Sequence, residues 1–216
     1  MIRKILSLSL ALIASILIFS SCNVKDNKDY HTSVDASDVA LLSLFTFDGK
    51  AESKMGLFNL GHSFLSIENI SDEDIKVGKV TLAPDQAVTI GAWSIKAHFG
   101  VWYNVESLYI KDYNKYDGRV SITAGINKDD LEVMSQFIDN HDIWTPFRNC
   151  SNFALNLWNT VASDTEELVK PVIYSPSKIK KELSKFNSFE TNRIVSTDDQ
   201  MFYFDGDTPK YFKLKV

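Results

Sequence analysis

The sequence predicts an α+β domain in which an antiparallel sheet packs against helices. Two-residue alternation with β-branched and aromatic runs dominates from about residue 40 to residue 125. The apolar period then lengthens to that of a helix, three times between residues 127 and 186. Strands first and helices later, with the strands at hairpin distance, belong to an α+β arrangement rather than to a parallel α/β sheet. Composition agrees: 44% of the 216 residues are hydrophobic, with only 9 Gly and 5 Pro, which excludes collagenous, low-complexity and disordered chains and is ample for one core.

The elements follow in order. Leu57 to Asn69 reads as a strand, with Phe64, Ser66 and Glu68 alternating against Leu65 and Ile67. Ile75 to Leu82 and Ala87 to Trp93 are the next strands, joined by Ala83-Pro84-Asp85-Gln86 as a turn. Val101 to Ile110 (VWYNVESLYI) is aromatic, β-branched and alternating, and so reads as a strand, with a short further one at Arg119 to Thr123. Asn127 is placed to cap a helix over Lys128 to Asn140, whose apolar face is Leu131, Met134, Phe137 and Ile138. A second helix begins near Asn149 or Cys150 and runs to about Ala162, facing inward with Phe153, Ala154, Leu157, Trp158 and Val161. Ser175-Pro176 opens a third, with Ile179, Leu183 and Phe186 inward. Strands return at Phe189–Val195, Gln200–Phe204 and Tyr211–Leu214. No repeat and no Pro/Gly/Ser linker divides this stretch, so residues 39–216 read as one domain.

The N-terminus has a different character. Arg3 and Lys4 precede an apolar run from Ile5 to Phe19, then Ser20, Ser21 and Cys22. This is the layout of a secretory signal, and the run is short for a helix that must span about 30 Å of hydrocarbon. An apolar residue, two small residues and a Cys resemble the lipobox of bacterial lipoproteins, with Phe19 where Leu is commoner. That resemblance implies a lipoprotein signal peptide over 1–22, an acylated Cys22 as the new N-terminus, and an extracytoplasmic domain of the cell envelope with the membrane as partner. An ordinary cleaved signal with an incidental Cys, or an uncleaved anchor, are the alternatives. Residues 23–38 are polar and aperiodic and read as a flexible tether. No other stretch approaches membrane-spanning length. The formal net charge of −5 excludes a dedicated nucleic-acid binder, because phosphate neutralisation needs a basic surface.

Two cysteines are too few for a disulfide scaffold or a cysteine-rich zinc site. Cys150 stands where an irregular segment becomes a helix, and unpaired N–H groups and the macrodipole there favour a thiolate. Asn149 or Ser151 can cap that turn, and Arg148 adds positive charge. Free Cys is also a common core residue. A nucleophilic Cys needs a base, normally His. His31 falls in the tether, His141 ends a helix where the dipole favours it, and His98 is undecided. His62 opens a strand directly after Gly61, so its ring projects from the end of a rigid element.

Gly61-His62-Ser63-Phe64-Leu65 followed much later by Asn149-Cys150-Ser151-Asn152-Phe153-Ala154 resembles the circularly permuted branch of the papain-like NlpC-type superfamily, which includes lecithin–retinol acyltransferase-like proteins. In that branch the His strand precedes the Cys helix. The likeness spans residues 57–186, the SPSKIKKEL helix included. It implies a permuted papain-like fold, Cys150 as nucleophile and His62 as general base. For the third, orienting residue, Glu68 lies about 20 Å along the strand from His62 and cannot reach it. Pairing of 62–68 with 76–82 would bring Thr81 or Leu82 near His62. Asn104 and Glu106, on one face of the 101–110 strand, are the alternatives, with Glu106 favoured; its bland reading is a solvated carboxylate.

Trp93, Trp102, Tyr103, Trp144 and Trp158 are read chiefly as core, and Asp72-Glu73-Asp74, Asp198-Asp199 and Asp205-Gly206-Asp207 as solvated turns. No phosphate-binding Gly loop, His-Glu helix motif or Gly-x-Ser-x-Gly elbow occurs, so no cofactor and no metal is expected. The expected function is a lipid-anchored cysteine peptidase or amidase acting on peptide, peptidoglycan or lipid amide through a Cys150 thioester. A non-catalytic surface binding module and a lipid or amide acyltransferase are the alternatives.

Overall fold

Alternating apolar residues build the centre of the molecule. A computed structural model describes residues 32–49, 61–163, 166–168, 170–171, 173–195, 197 and 200–213. Its strands are β1 (Ala40–Phe47), β2 (His62–Asn69), β3 (Ile75–Val77), β4 (Val80–Leu82), β5 (Ala87–Ile95), β6 (His98–Tyr103), β7 (Val120–Ile126), β8 (Glu190–Thr191), β9 (Met201–Asp205) and β10 (Thr208–Phe212). Its helices are α1 (Val105–Tyr113), α2 (Lys128–Asn140), α3 (Cys150–Val161) and α4 (Pro176–Leu183). Eight strands form one antiparallel sheet in the order β10-β9-β6-β5-β2-β1-β7-β8, and β3 and β4 form a separate hairpin. The molecule is therefore α+β, as the order of its elements predicts.

The sheet has two unlike faces. Leu42 and Leu44 of β1, Leu65 and Ile67 of β2 and Ile90 of β5 enter the main core with residues of α2, α3 and α4, among them Met134, Phe153, Trp158 and Leu183. By alternation, Phe45, His62, Phe64, Gly91 and Trp93 belong to the opposite face. There a smaller cluster of Trp102, Val105 and Met201 forms around the start of α1. Register follows from this division. A slip of one residue in β2 would exchange buried Leu65 and Ile67 for Ser66 and Glu68. Each such buried aliphatic side chain is worth about 1.5–3 kcal/mol, so the slip is heavily disfavoured.

Local signals set the helix starts. The Asn127 side chain accepts from the N–H groups of Asp129 and Asp130, and the Asp130 carboxylate accepts from Asn127 N–H, a capping box that fixes the predicted start of α2. Pro176 takes the first position of α4, with Ile179, Leu183 and Phe186 buried behind it.

Four expectations need correction. The strand expected at Ile75–Leu82 is broken at Gly78 (φ 59) and folds on itself as β3 and β4, so β2 pairs with β1 and β5, not with 76–82. The strand expected over Val101–Ile110 stops at Tyr103. Asn104 adopts a left-handed conformation (φ 60), which Asn tolerates better than most residues, and the chain continues as α1. The strand expected at Phe189–Val195 shrinks to the two residues of β8, because beyond them the segment leaves the β7 edge. The polar stretch expected to be a free tether over 23–38 is bonded to the domain from Thr32 onward: Ser33 N–H donates to Glu166 Oε1 (3.1 Å), and its carbonyl accepts from Gly125 N–H (2.7 Å). The signal segment, Cys22, His31, residues 57–60 of the first expected strand, Asp198-Asp199 and Leu214 lie outside the described residues. No helix among the described residues is long and apolar enough to cross a membrane.

Candidate active site

The first turn of α3 is held in place before its chemistry begins. Asn149 caps it, its side-chain oxygen accepting from Asn152 N–H at 3.0 Å, while its amide donates to the carbonyls of Pro146 and Tyr174. Behind the turn runs a fully buried chain of hydroxyls. Ser151 Oγ lies 3.2 Å from Ser63 Oγ, which lies 2.9 Å from Thr46 Oγ1, and Thr46 donates to Pro176 O at 3.1 Å. This chain links α3, β2, β1 and α4. The bond between the two hydroxyls fixes the start of α3 against β2 at the end where His62 stands. The expected pair is coupled electrostatically: the charged form of Cys150 favours the charged form of His62, and the reverse.

One nitrogen of the His62 ring is engaged by a carboxylate. His62 Nε2 lies 2.8 Å from Glu106 Oε1, and the same oxygen accepts from Trp93 Nε1–H at 2.7 Å. With Nε2 bonded to the carboxylate, Nδ1 is the ring nitrogen left for another partner. His62 is only 6% exposed and Glu106 is 0% exposed. Glu106 Oε2, also buried, has no hydrogen-bond partner. Gly91 makes room for this carboxylate: a Cβ there would stand 3.0 Å from Glu106 Cδ, closer still to Oε1, and 3.1 Å from Trp93 Nε1. The His62 ring is flanked by Trp93 (centroids 4.2 Å apart, tilted 39°) and Tyr116 (5.8 Å, 22°).

Electrostatics follow from this arrangement. Burial alone would discharge the imidazole, but the Cys150 thiolate and the Glu106 carboxylate outweigh it and push His62 up to about 9. Burial would likewise raise the Cys150 thiol. The charge and hydrogen bond of His62, with the Ser63 backbone N–H and the Ser151 hydroxyl, instead hold it below its ordinary 9.0. Each charge of the pair thus favours the other, with Glu106 beside the ring.

Glu106 stands beside His62 on different ground from that expected. It occupies the first turn of α1, not a strand face, and reaches across Gly91. Asn104, the other candidate, is bonded to β5: its Oδ1 accepts from Thr89 N–H at 3.1 Å, and its own N–H donates to Thr89 O at 2.9 Å. Glu68 is exposed toward the far end of β2. His98 lies 2.6 Å from Asp142, and His141 stacks on Phe137 at the end of α2. Arg148 is exposed, its N–H donating to Thr145 Oγ1. Trp102, Tyr103 and Trp158 are core residues, as expected, but Trp93 is part of the site. Sequence reasoning misses Trp93, Gly91, Ser63 and Ser151. A glycine inside a strand was the one available signal, since it often marks a close approach.

No group of three or more His, Cys, Asp and Glu among the described residues is placed to hold a metal ion. Comparison of the chain with protein-family models, with curated proteins and with solved structures finds no match.

Proposed function

We propose that the chain is a cysteine hydrolase of permuted papain-like architecture, lipid-anchored through Cys22 outside the cytoplasm, that cleaves an amide bond in a peptide, peptidoglycan or lipid-amide substrate. One observation carries the reading: a thiol at a helix N-terminus, electrostatically coupled to an imidazole whose Nε2 is held at 2.8 Å by a buried carboxylate. Nucleophile, base and orienting group in that relation are what acyl transfer through a thioester requires.

The steps follow from the atoms. The Cys150 thiolate attacks the carbonyl carbon, and the carbonyl oxygen takes the negative charge. A backbone N–H at the start of α3 is placed to stabilise that oxyanion. The C–N bond breaks as His62 gives its proton to the leaving amine, which forms the Cys150 thioester. Neutral His62 then takes a proton from water, the hydroxide oxygen attacks the thioester, and the acid leaves with Cys150 restored as thiolate. Glu106 does not exchange the proton; it orients the ring and stabilises its charged form.

The test needs no substrate. In a full chain carrying Cys22→Ser, Cys150 is the only thiol. At pH 6 a thiol at the ordinary value of 9.0 is about one part in a thousand thiolate. Iodoacetamide should therefore label the protein at pH 6 far faster than it labels free cysteine peptide, with a half-maximal rate well below pH 9. His62→Ala should return the curve toward 9, and Cys150→Ala should abolish labelling. A wild-type curve centred at or above 9 overturns the assignment and favours a binding module.

A further inference from the structure

The Glu106 carboxylate is asymmetric. It is fully buried, and among the described residues His62 is the one basic side chain that it pairs with. Oε1 accepts two hydrogen bonds, from His62 and from Trp93, while Oε2 accepts none from the described residues. A buried carboxylate stays charged only where donors and opposite charges replace its water. Here the indole N–H is one of two such donors. The indole also lies against the imidazole, with centroids 4.2 Å apart, within the range at which an aromatic ring attracts a cation.

From this geometry we infer that Trp93 is a positioning residue of the site, one that holds Glu106 aligned through its N–H and steadies the charged form of His62 through its ring. The inference rests on the proposed thiolate–imidazolium pair. Without the N–H, Glu106 keeps a single donor in a dry site. The carboxylate then supports the charged ring less well, so the one proton that the pair exchanges moves from His62 nitrogen to Cys150 sulfur, which leaves a neutral ring and a thiol. The other titratable groups facing this carboxylate are Tyr109, next along α1, and Cys150 of α3 across the ring. Gly91 of β5 sets the distance, since any side chain there would displace both carboxylate and indole. Tyr116, at φ 61, also lies against the imidazole, with ring centroids 5.8 Å apart.

The experiment is the pH dependence of iodoacetamide labelling in the full chain with Cys22→Ser. Trp93→Phe keeps an aromatic face and removes the donor; Trp93→Leu removes both. The expected result is that Trp93→Phe moves the thiol curve up by about one pH unit, which slows labelling at pH 6 about tenfold, and that Trp93→Leu moves it further. In a Glu106→Gln background, Trp93→Phe should add almost nothing, an interaction that a merely structural Trp would not show. Trp93→Phe labelling that matches a depressed wild-type curve overturns the inference and leaves the proposed function standing. A wild-type curve at or above 9 overturns both. If the variants do not fold, the indole N–H proton resonance of Trp93 in the otherwise wild-type chain decides: it should titrate with the same midpoint as the labelling. A resonance indifferent to that midpoint overturns the inference.

Discussion

Gly91→Ala is the smallest change that reaches the site without touching any of its reacting groups. An alanine Cβ would stand 3.0 Å from Glu106 Cδ and 3.1 Å from Trp93 Nε1, nearer to Oε1 than to either, whereas ordinary contact begins at 3.4 Å. The carboxylate carbon must therefore retreat by several tenths of an ångström, and Oε1 by more. Gly91 pairs with Trp102 in the middle of the sheet, so the backbone has little freedom to yield instead. Overpacking of this kind costs about 1–3 kcal/mol, and at about 2–4 °C per kcal/mol for a domain of this size Tm should fall by about 2–12 °C. The displaced Oε1 also loses its 2.8 Å contact with His62, so thiol labelling at pH 6 should fall by about tenfold, one pKa unit. The decisive assay is a double-mutant cycle. Glu106→Ala removes the group that the new methyl meets, so Gly91→Ala should then cost less than it does in the wild type, with a coupling of about 1 kcal/mol or more. Additive costs in chemical denaturation, with labelling unchanged by Gly91→Ala, would refute the reasoning.

Three further outcomes follow from the same structure. Asn149→Ala removes the cap of α3 and should cost about 1 kcal/mol in urea denaturation, with slower labelling of Cys150 because the helix start that carries it frays. Ser63→Ala removes the middle of the buried hydroxyl chain and leaves Ser151 and Thr46 each short of a partner, a loss of about 1–3 kcal/mol; Thr46→Val in that background should cost less than it does alone. The pH dependence is set by signs that oppose each other. His62, raised from 6.5 to about 9, contributes stability that is full below 6.5 and lost as pH rises through 9. Cys150, lowered from 9.0, contributes stability that is full above 9.0 and lost as pH falls through its folded value. With the pair as thiolate and imidazolium, as proposed, the folded protein between 6.5 and 9.0 holds one proton on nitrogen, whereas the unfolded chain holds it on sulfur. Unfolding at pH 7.5 should then abolish thiolate ultraviolet absorbance, an absorbance that Cys150→Ala lacks throughout; a native protein without it would count against the ion pair.

Local features of the fold were legible because the residues that decide them are neighbours in the chain. Asn127, Asn149 and Pro176 mark helix starts through bonds within one turn, and Cys150 inherits its position from Asn149. Pairing was not legible, since nothing in His62–Asn69 names Ala40–Phe47 and Ala87–Ile95 as its neighbours. The strand-like reading of residues 101–110 has a similar cause. Their apolar alternation continues past Tyr103, and one left-handed Asn104 ends the strand where side-chain pattern alone gives no warning. Glu106 consequently reaches His62 from a helix, over a glycine, and Trp93 enters the site as a donor rather than as another core aromatic. Each of these depends on which strands lie side by side.

Ser33 gives the domain a fixed point of attachment, and its location bears on what the site can meet. It is bonded at Gly125, opposite Leu41, whereas His62 lies opposite Phe47, six residues or about 20 Å further along β1. With Cys22 acylated as proposed, the leash to Thr32 is about ten residues and reaches at most about 35 Å. Turning the thiol down onto the bilayer that holds the anchor would take some 20 Å of that reach, whereas facing outward takes none of it. Under the proposed function, that separation of anchor and thiol favours a wall peptide over a lipid amide in the same leaflet.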